Sequence, residues 1–218
     1  MNAHDRVYLE DCSEQDVKDL QQRILAGAVV VFPTDTVYGI GCSALQPESV
    51  ARVFAAKHRD SSKPLPVFIG GLDQVADRID VAELPVASRL AEAFWPGPLT
   101  IVVDVARSGL HVQPPPFPEA TSVGFRVPRH DGLLRLLQGG LVLAQTSFNE
   151  SGEAVVESLE APGAAGLLAC ADVVLDSRQQ PVGRPSTLVR LSPEGWSVLR
   201  EGDVSAQDVS RALSGPCP

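Results

Sequence analysis

The chain has 218 residues, of which 44% are hydrophobic and 21% are charged. This length fits one large α/β domain or two small ones, and this composition is typical of a folded globular protein, which excludes wholesale disorder. The 27 acidic and 18 basic residues give a formal net charge of -9. Such a charge argues against a broad basic surface for tight nucleic-acid binding.

The sequence shows no membrane or export signal. No apolar run approaches the ~18 residues of a membrane-spanning helix, and Asp5, Arg6 and Glu10 stand where a signal peptide would be apolar. The cysteines are far apart without a C-x-x-C pair, and the histidines lack metal-ligand spacing. We therefore expect a cytoplasmic protein with reduced thiols and no permanent metal site.

The first predicted helix begins after Ser13, a residue that can cap a helix N-terminus, and ends near Gly27. Its apolar face is formed by Val17, Leu20, Ile24 and Leu25. A buried strand over Ala28 to Phe32 follows. The polar loop from Pro33 to Gly39 then lies at the carboxyl end of a buried strand. Open α/β sheets usually bind ligands at such a position, so this loop is the first candidate site.

A second helix is predicted from Pro47 to about Lys57. Lys57 lies seven residues after Val50 on the same apolar face, so its ammonium should reach the end of the sheet. Arg59 and Lys63 follow at once. Three cations in seven residues indicate either a solvated helix end or a group that binds a polyphosphate.

Short strands and helices alternate irregularly in the rest of the chain. Further strands are predicted at Leu65 to Ile69, Leu99 to Val105, Ser122 to Val127, Leu141 to Ala144, Asp172 to Leu175, Ser186 to Leu191 and Trp196 to Leu199. Further helices are predicted at Pro85 to Phe94, Gly132 to Gln138 and Ala206 to Leu213. The proline-rich stretch from Ala106 to Ala120 predicts a long surface loop. Because no linker or repeat divides the chain, we expect one α/β domain over residues 1–218, with a twisted mixed sheet surrounded by helices.

Three further patterns leave alternatives open. Arg126 interrupts a strand-like apolar run, so its charge must face solvent at a sheet edge or meet an anion such as a substrate carboxylate. The segment from Thr146 to Gly152 can hold phosphate or ribose, or it can be an ordinary turn. The segment from Gly39 to Ala44 fits G-x-G-x-x-A, but Pro33 and Tyr38 separate it from the preceding strand, so we do not expect a dinucleotide site.

Taken together, the motifs of this chain resemble the YrdC-like threonylcarbamoyl-AMP synthase family. The matching segments, in family order, are Phe32 to Gly41, Lys57 to Arg59 with Lys63 to Leu65, Trp95 to Thr100, Val123 to Pro128, Thr146 to Gly152, Ser186-Thr187 and Leu199 to Gly202. They span nearly the whole chain, and the K-x-R and S-x-N signatures of the family fall on Lys57, Arg59, Ser147 and Asn149. The resemblance is to the short, single-domain form. It implies a twisted, mostly open α/β sheet around a deep central cleft.

Members of this family join L-threonine, bicarbonate or CO₂, and ATP with Mg²⁺ into threonylcarbamoyl-AMP and pyrophosphate. A separate tRNA threonylcarbamoyl transferase complex then modifies the adenosine beside the anticodon. The resemblance implies that Lys57 and Arg59 are catalytic, and it assigns residues to both substrates. ATP is expected to contact Lys57, Arg59, Lys63, Ser147, Asn149 and Arg200. Threonine is expected to contact Thr34, Arg126 and Ser186.

Two alternatives remain beside this interpretation. One is a carbamoyl-adenylate-forming relative, similar to a domain of hydrogenase-maturation carbamoyltransferases, and the other is a non-catalytic RNA-binding module, which the net charge disfavours. The chain also departs from its relatives at Phe68, where many have histidine, and at Glu201, where proline is frequent. Phe148 is bulkier than the usual residue, and we expect it to form a wall beside the methyl group of threonine.

Overall fold

The computed structural model describes residues 6–105, 109–113, 121–149, 159–160, 164–179 and 181–214. Much of the loop predicted from Ala106 to Ala120, and the part of the Thr146 to Gly152 segment from Glu150 onward, lie outside the described residues. The strands are β1 (Arg6–Tyr8), β2 (Val30–Phe32), β3 (Gly39–Ser43), β4 (Val67–Phe68), β5 (Leu99–Asp104), β6 (Ser122–Arg126), β7 (Leu143–Ser147), β8 (Val173–Asp176), β9 (Thr187–Ser192) and β10 (Gly195–Arg200). The α-helices are α1 (Glu14–Leu25), α2 (Pro47–Lys57), α3 (Leu84–Phe94), α4 (Asp131–Leu137), α5 (Ala164–Leu168) and α6 (Ala206–Ser214).

These strands form one mixed sheet in the order β1-β8-β2-β3-β7-β4-β6-β5-β9-β10. The pairs β1 with β8, β8 with β2, β4 with β6, and β5 with β9 are parallel. The other five neighbouring pairs are antiparallel. The predicted mixed α/β sheet is therefore confirmed. Within the described part of the chain, no helix is both long and apolar enough to cross a membrane.

Helix α1 shows how the local sequence fixes an element. The Ser13 side chain accepts a hydrogen bond from the Asp16 backbone N–H, and the Asp16 carboxylate accepts one from the Ser13 backbone N–H, which makes a capping box. Val17, Leu20 and Ile24 are buried as predicted, but Leu25 is 42% exposed. Its expected place on the apolar face is wrong because each helical residue turns by about 100°, which carries Leu25 past the buried stripe.

The sequence did not predict β3, which pairs antiparallel with both β2 and β7. Its glycines hide the alternation that normally reveals a strand. A Cβ atom on Gly41 would lie 2.4 Å from the Ala144 carbonyl oxygen, so this glycine serves close strand packing. The G-x-G pattern is thus a strand, which agrees with the expectation that it is no dinucleotide loop. Strand β1 and helix α5 were also not predicted from the sequence. Strand β7 extends through Ser147, whereas the sequence predicted that it ends at Ala144.

Alternate residues of the strands point to opposite faces of the sheet. On one face, a large core is covered by α2, α3, α5 and α6, and it includes Val123 and Phe125 of β6. On the other face, α1 and α4 pack a second core over Val30, Phe32 and Phe68. The alternate residues of β5, β6 and β9 on this second face line an open cleft instead. The candidate site therefore lies where the sheet is left uncovered by these two helices.

Candidate active site

The cleft has a volume of about 390 Å³ and its floor is the face of three neighbouring strands. The floor residues are Thr100 and Val102 of β5, Ser122, Gly124 and Arg126 of β6, and Leu188 and Arg190 of β9, with Ser186 just before β9. A Cβ atom on Gly124 would lie 3.1 Å from the Thr100 side chain and 3.4 Å from the Val102 side chain. Because glycine has no side chain, it leaves space in the cleft above the middle of β6.

Six of the nine residues predicted from the sequence line this cleft, although they come from distant parts of the chain. They are Thr34, Arg59, Arg126, Ser147, Ser186 and Arg200. Lys57 and Asn149 are buried and hydrogen-bonded to each other beside Ser147. Lys63 is not among the lining residues: its side chain is 70% exposed, and its Nζ lies 4.0 Å from Asp60 Oδ2.

Lys57 ends α2 and is 2% exposed. Its Nζ donates hydrogen bonds to the Ser147 carbonyl oxygen at 2.5 Å and to Asn149 Oδ1 at 3.1 Å, and Ser147 Oγ donates to the same Oδ1 at 2.5 Å. Burial, and to a lesser degree the charge of Arg59, lowers the pKa of Lys57 to about 8. The alternative of a solvated helix end is therefore wrong for Lys57, whose ammonium reaches the end of β7 as predicted.

His58 turns the chain so that Arg59 reaches the cleft. It adopts a left-handed conformation with φ of 48° just after α2, and the Arg59 backbone N–H then donates to the Phe54 carbonyl at 3.1 Å. The Arg59 guanidinium donates to the backbone carbonyls of Lys63 and Pro64, both at 3.1 Å. Within the described part of the chain, Arg59 has no carboxylate ion-pair partner. Its charge is therefore not neutralised by an ion pair within the described residues.

Arg126 ends β6, an interior strand, and its side chain is 3% exposed. Its guanidinium donates to the Gly97 carbonyl at 2.9 Å, to Thr36 Oγ1 at 2.9 Å and to Asp35 Oδ1 at 2.6 Å, and lies 5.5 Å from the centre of the Phe68 ring. The solvated sheet edge considered for Arg126 is therefore wrong. A guanidinium has five N–H groups, and these three bonds leave two of them for a ligand in the cleft.

The loop between β2 and β3 is organised by Thr34, which is 1% exposed. Thr34 Oγ1 accepts hydrogen bonds from the backbone N–H groups of Thr36 at 3.0 Å and Val37 at 3.1 Å, and it donates to the Val37 carbonyl at 2.7 Å. The Thr36 hydroxyl accepts the bond from Arg126. Thr34 therefore fixes the loop, and Thr36, which the sequence analysis missed, joins the loop to β6.

Ser186 and Arg200 meet at the start of β9. Ser186 Oγ lies 2.9 Å from Thr100 Oγ1, and Arg200 donates to the Ser186 carbonyl through Nε at 3.1 Å and through a terminal nitrogen at 2.9 Å. The Gly202 backbone N–H donates to Thr187 Oγ1 at 2.8 Å. These bonds orient Arg200 into the cleft even though Glu201 replaces the proline that is frequent in relatives.

Phe148 does not lie where it was expected, and several cleft residues were not predicted from the sequence. Phe148 is fully buried in the large core and is not among the lining residues, so the expected wall beside a substrate methyl is wrong. Its backbone N–H donates to the Tyr38 carbonyl at 2.7 Å, which holds this residue directly after β7. The missed lining residues are Thr36, Thr100, Ser122, Gln145 and Arg190. Polar residues at alternate positions of β5, β6 and β9 are the signal that could have found several of them.

The comparisons with known proteins agree with this geometry. The Sua5/YciO/YrdC family model, described as "Telomere recombination", matches residues 22–202. The threonylcarbamoyl-AMP synthase of Pyrococcus abyssi is 31% identical over 201 residues, which cover 87% of this chain and 55% of that protein. The chain thus spans about half the length of that relative. A putative threonylcarbamoyl-AMP synthase of Mycobacterium leprae is 31% identical over 93% of this chain and 92% of that protein.

The fold agrees as well. The crystal structure of P. abyssi Sua5 complexed with L-threonine has a TM-score of 0.79 and 28% sequence identity to this chain, and the superposition covers 96% of this chain and 60% of that one. Among the described residues, no group of three or more histidine, cysteine, aspartate or glutamate side chains is placed to hold a metal ion. Because the family model matches most of the sequence, this chain belongs to the Sua5/YciO/YrdC family.

Proposed function

We propose that the protein is a threonylcarbamoyl-AMP synthase, which condenses L-threonine, bicarbonate or CO₂, and ATP to threonylcarbamoyl-AMP and pyrophosphate. The observation that carries the proposal is that one cleft contains an arginine with a carboxylate ion-pair partner and two arginines without one. Arg126 is compensated by Asp35 and hydrogen-bonded to the Thr36 hydroxyl, whereas Arg59 and Arg200 have no ion-pair partner within the described residues. A small zwitterion fits the first environment, and a polyphosphate fits the second.

The threonine site is proposed around Arg126. Its two remaining N–H groups would bind the α-carboxylate, while Thr36, Thr100 and Ser186 bring hydroxyls into the same part of the cleft. In this arrangement Thr34 acts by holding the loop that carries Thr36. The complex of the relative Sua5 from P. abyssi with L-threonine supports an amino-acid site in this fold.

The ATP site is proposed around Arg59, Ser147 and Arg200. Lys57 would support it from within, because its ammonium holds both the Ser147 carbonyl and Asn149 Oδ1 in place and adds positive charge behind them. Lys63 remains a contact predicted from sequence, with an exposed side chain that has to move toward the phosphates. Mg²⁺ would arrive with ATP as part of the substrate and offset the charge of the triphosphate.

The chemistry is largely a problem of position and charge. The neutral amine of threonine attacks CO₂ and releases a proton to solvent, which forms a carbamate. A carbamate oxygen then attacks the α-phosphorus of ATP while the bond to the β-phosphate oxygen breaks and pyrophosphate leaves. Holding both substrates in one cleft makes the attack effectively intramolecular. Arg59, Arg200 and the ammonium of Lys57 would stabilise the negative charge that grows on the phosphoryl oxygens and on departing pyrophosphate.

The product is proposed to pass to a separate tRNA threonylcarbamoyl transferase complex, which modifies the adenosine beside the anticodon. We propose the cytoplasm as the place of this reaction. The few, widely separated cysteines without a C-x-x-C pair support a reducing compartment. The chain itself has no need to bind tRNA tightly in this scheme.

The test is pyrophosphate release by purified protein with MgATP, bicarbonate and each amino acid in turn. We expect the order threonine, serine, valine. A site that hydrogen-bonds the substrate hydroxyl rejects valine strongly, whereas serine lacks only a methyl group, which is worth about 1 to 3 kcal/mol. Valine equal to serine would show that no hydroxyl is recognised.

Two control reactions separate the alternatives. Pyrophosphate release that requires carbamate, supplied as ammonium carbamate, and no amino acid would indicate the carbamoyl-adenylate-forming relative. Tight tRNA binding with a steep salt dependence, without amino-acid-dependent pyrophosphate release, would indicate an RNA-binding module.

A further inference from the structure

Arg190 is a fourth arginine of the cleft, and neither the motifs nor the proposed chemistry uses it. It lies on β9, on the same face as Ser186 and Leu188. One terminal nitrogen donates to Asp104 Oδ1 at 2.5 Å, and Nε donates to the Leu191 carbonyl at 3.1 Å. The side chains of Arg190 and Asp104 are 34% and 42% exposed. Arg190 lines the cleft, whereas Asp104 is not among the lining residues and lies beside the cleft on the same face of β5 as Thr100 and Val102. The pair is therefore held in place at the edge of the cleft and is partly exposed.

The charge of this pair distinguishes it from the phosphate-binding part of the cleft. Asp104 compensates Arg190, whereas Arg59 and Arg200 donate to backbone carbonyls and have no ion-pair partner in the part of the chain that the structure describes. A triphosphate gains most from uncompensated cations. The Arg190–Asp104 pair itself is thus suited to a ligand part without net charge, although Arg200 lies nearby, opposite Leu188.

Both apolar and polar residues lie around the pair. In the sheet register Val102 lies opposite Arg190, Thr100 lies opposite Leu188, and Asp104 lies opposite Ser122. Leu199 also lines the cleft, and it is 58% exposed. Val102, Leu188 and Leu199 therefore offer apolar surface next to one donor and one acceptor.

The separation fits a long ligand. Ser147 on β7 and Arg190 on β9 both line the cleft, and these strands are four places apart in the sheet. At about 4.8 Å per strand the two positions are about 19 Å apart across the sheet. A ligand that contacts both has to extend across the cleft as a nucleoside triphosphate does.

Resting on the proposed function, we propose that the Arg190–Asp104 pair recognises the adenine base of ATP. Arg190 donates to a ring nitrogen of adenine, and the Asp104 carboxylate accepts a hydrogen bond from the 6-amino group. Val102, Leu188 and Leu199 cover the faces of the ring. Guanine presents a carbonyl oxygen where adenine has its amino group, so it would meet the Asp104 carboxylate with an acceptor and be rejected.

Equilibrium binding tests this assignment without turnover. Isothermal titration with the Mg²⁺ complexes of ATP, GTP, purine riboside triphosphate and inorganic tripolyphosphate separates base from phosphate, because purine riboside lacks only the 6-amino group. We expect the protein to bind ATP at least about tenfold more tightly than purine riboside triphosphate, a difference of about 1.4 kcal/mol. Equal binding of the two would overturn the role of Asp104.

Variants sharpen the test. Arg190→Gln should weaken ATP binding about tenfold and leave tripolyphosphate binding unchanged, while Asp104→Asn should narrow the preference for ATP over GTP, since an amide can donate to a guanine oxygen. Arg211→Gln on α6 removes a guanidinium that pairs with Asp208 at 3.1 Å and serves as the matched control.

The outcomes separate this inference from the proposed function. Equal weakening of ATP and tripolyphosphate by Arg190→Gln would make Arg190 a phosphate-binding residue and overturn the assignment to the base. An unchanged ATP to GTP ratio in Asp104→Asn, with a melting temperature near that of the parent, would also overturn it. If the parent protein binds neither ATP nor tripolyphosphate, the proposed function itself fails.

Discussion

Arg126 has two roles in the cleft, and they can be separated by experiment. It holds Asp35 and Thr36 of the loop between β2 and β3, and it is proposed to bind the carboxylate of threonine. The informative comparison is Arg126→Met alone against Arg126→Met combined with Asp35→Asn. Methionine keeps much of the apolar stem of arginine and removes the charge. Arg129→Met is the control, because Arg129 is a neighbouring exposed arginine outside the cleft lining.

The expected effect on stability follows from burial. The Arg126 and Asp35 side chains are 3% and 11% exposed, so Arg126→Met leaves a buried carboxylate without its cation. Breaking such a pair from one side costs about 3 to 5 kcal/mol of the free energy of unfolding. Asp35→Asn removes the remaining charge, and we expect the double variant to recover about 1 to 3 kcal/mol of this loss in urea unfolding.

The expected effect on substrate use is different. A hydrogen bond to a charged group contributes about 1.5 to 3 kcal/mol, and about 1.4 kcal/mol corresponds to a factor of ten. Both variants should therefore raise the KM for threonine about tenfold or more in the pyrophosphate assay, with a much smaller change in the KM for ATP. If Asp35→Asn restores the KM for threonine together with stability, Arg126 acts only by holding the loop. A defect confined to ATP would place Arg126 in the nucleotide site.

Three further predictions concern the end of α2. Arg59→Ala and Lys57→Met should each lower kcat by about a hundredfold or more, since the loss of one donor to transition-state charge in an oxyanion hole costs about 2.7 to 4 kcal/mol. Near-normal pyrophosphate release by both variants would refute the phosphate assignment. The pKa of Lys57, lowered to about 8 from 10.5, means that ATP affinity should fall as pH rises through about 8. The free energy of unfolding should rise as the pH rises from about 8 to 10.5, because in this range the Lys57 side chain binds a proton in the unfolded state and not in the folded state. Calorimetry on the parent and on Lys57→Met checks both the ATP affinity and the free energy of unfolding, and the variant should show neither pH dependence. His58 has a φ of 48°. His58→Val should lower the free energy of unfolding by about 1 to 2 kcal/mol, because a branched residue disfavours this left-handed conformation, whereas His58→Gly should not lower it. Equal melting temperatures for the two variants would contradict this explanation.

Elements whose signals are local were predictable. Ser13 and its capping partner, the proline at the start of α2, and the apolar stripe ending at Lys57 are each set by residues within a few positions of one another. The same locality explains why Lys57 was expected to reach the end of the sheet. It also explains the prediction of the loop from Pro33 to Gly39, because a buried strand and a proline fix where that loop begins.

Pairing between distant strands was decided by tertiary structure. β3 has no local signal, since its Gly41 is required by contact with β7, more than a hundred residues later, and its Gly39 by contact with the Phe32 ring of β2. The position of Phe148 followed from the end of β7, which runs further than its apolar residues suggest, so its side chain enters the core. Neither property can be read from the neighbouring sequence, because each depends on which strand lies alongside.

The sequence by itself determined which residue types were available for the site: the cations after α2, the hydroxyls before β9 and an arginine inside an apolar strand. Only the tertiary structure decided their partners. It joined Arg126 to Asp35 and Arg190 to Asp104, and it left Arg59 without such a partner among the described residues. The reason is electrostatic, because whether a cation can serve a ligand depends on the carboxylates that folding brings within hydrogen-bond distance, and those carboxylates come from remote parts of the chain.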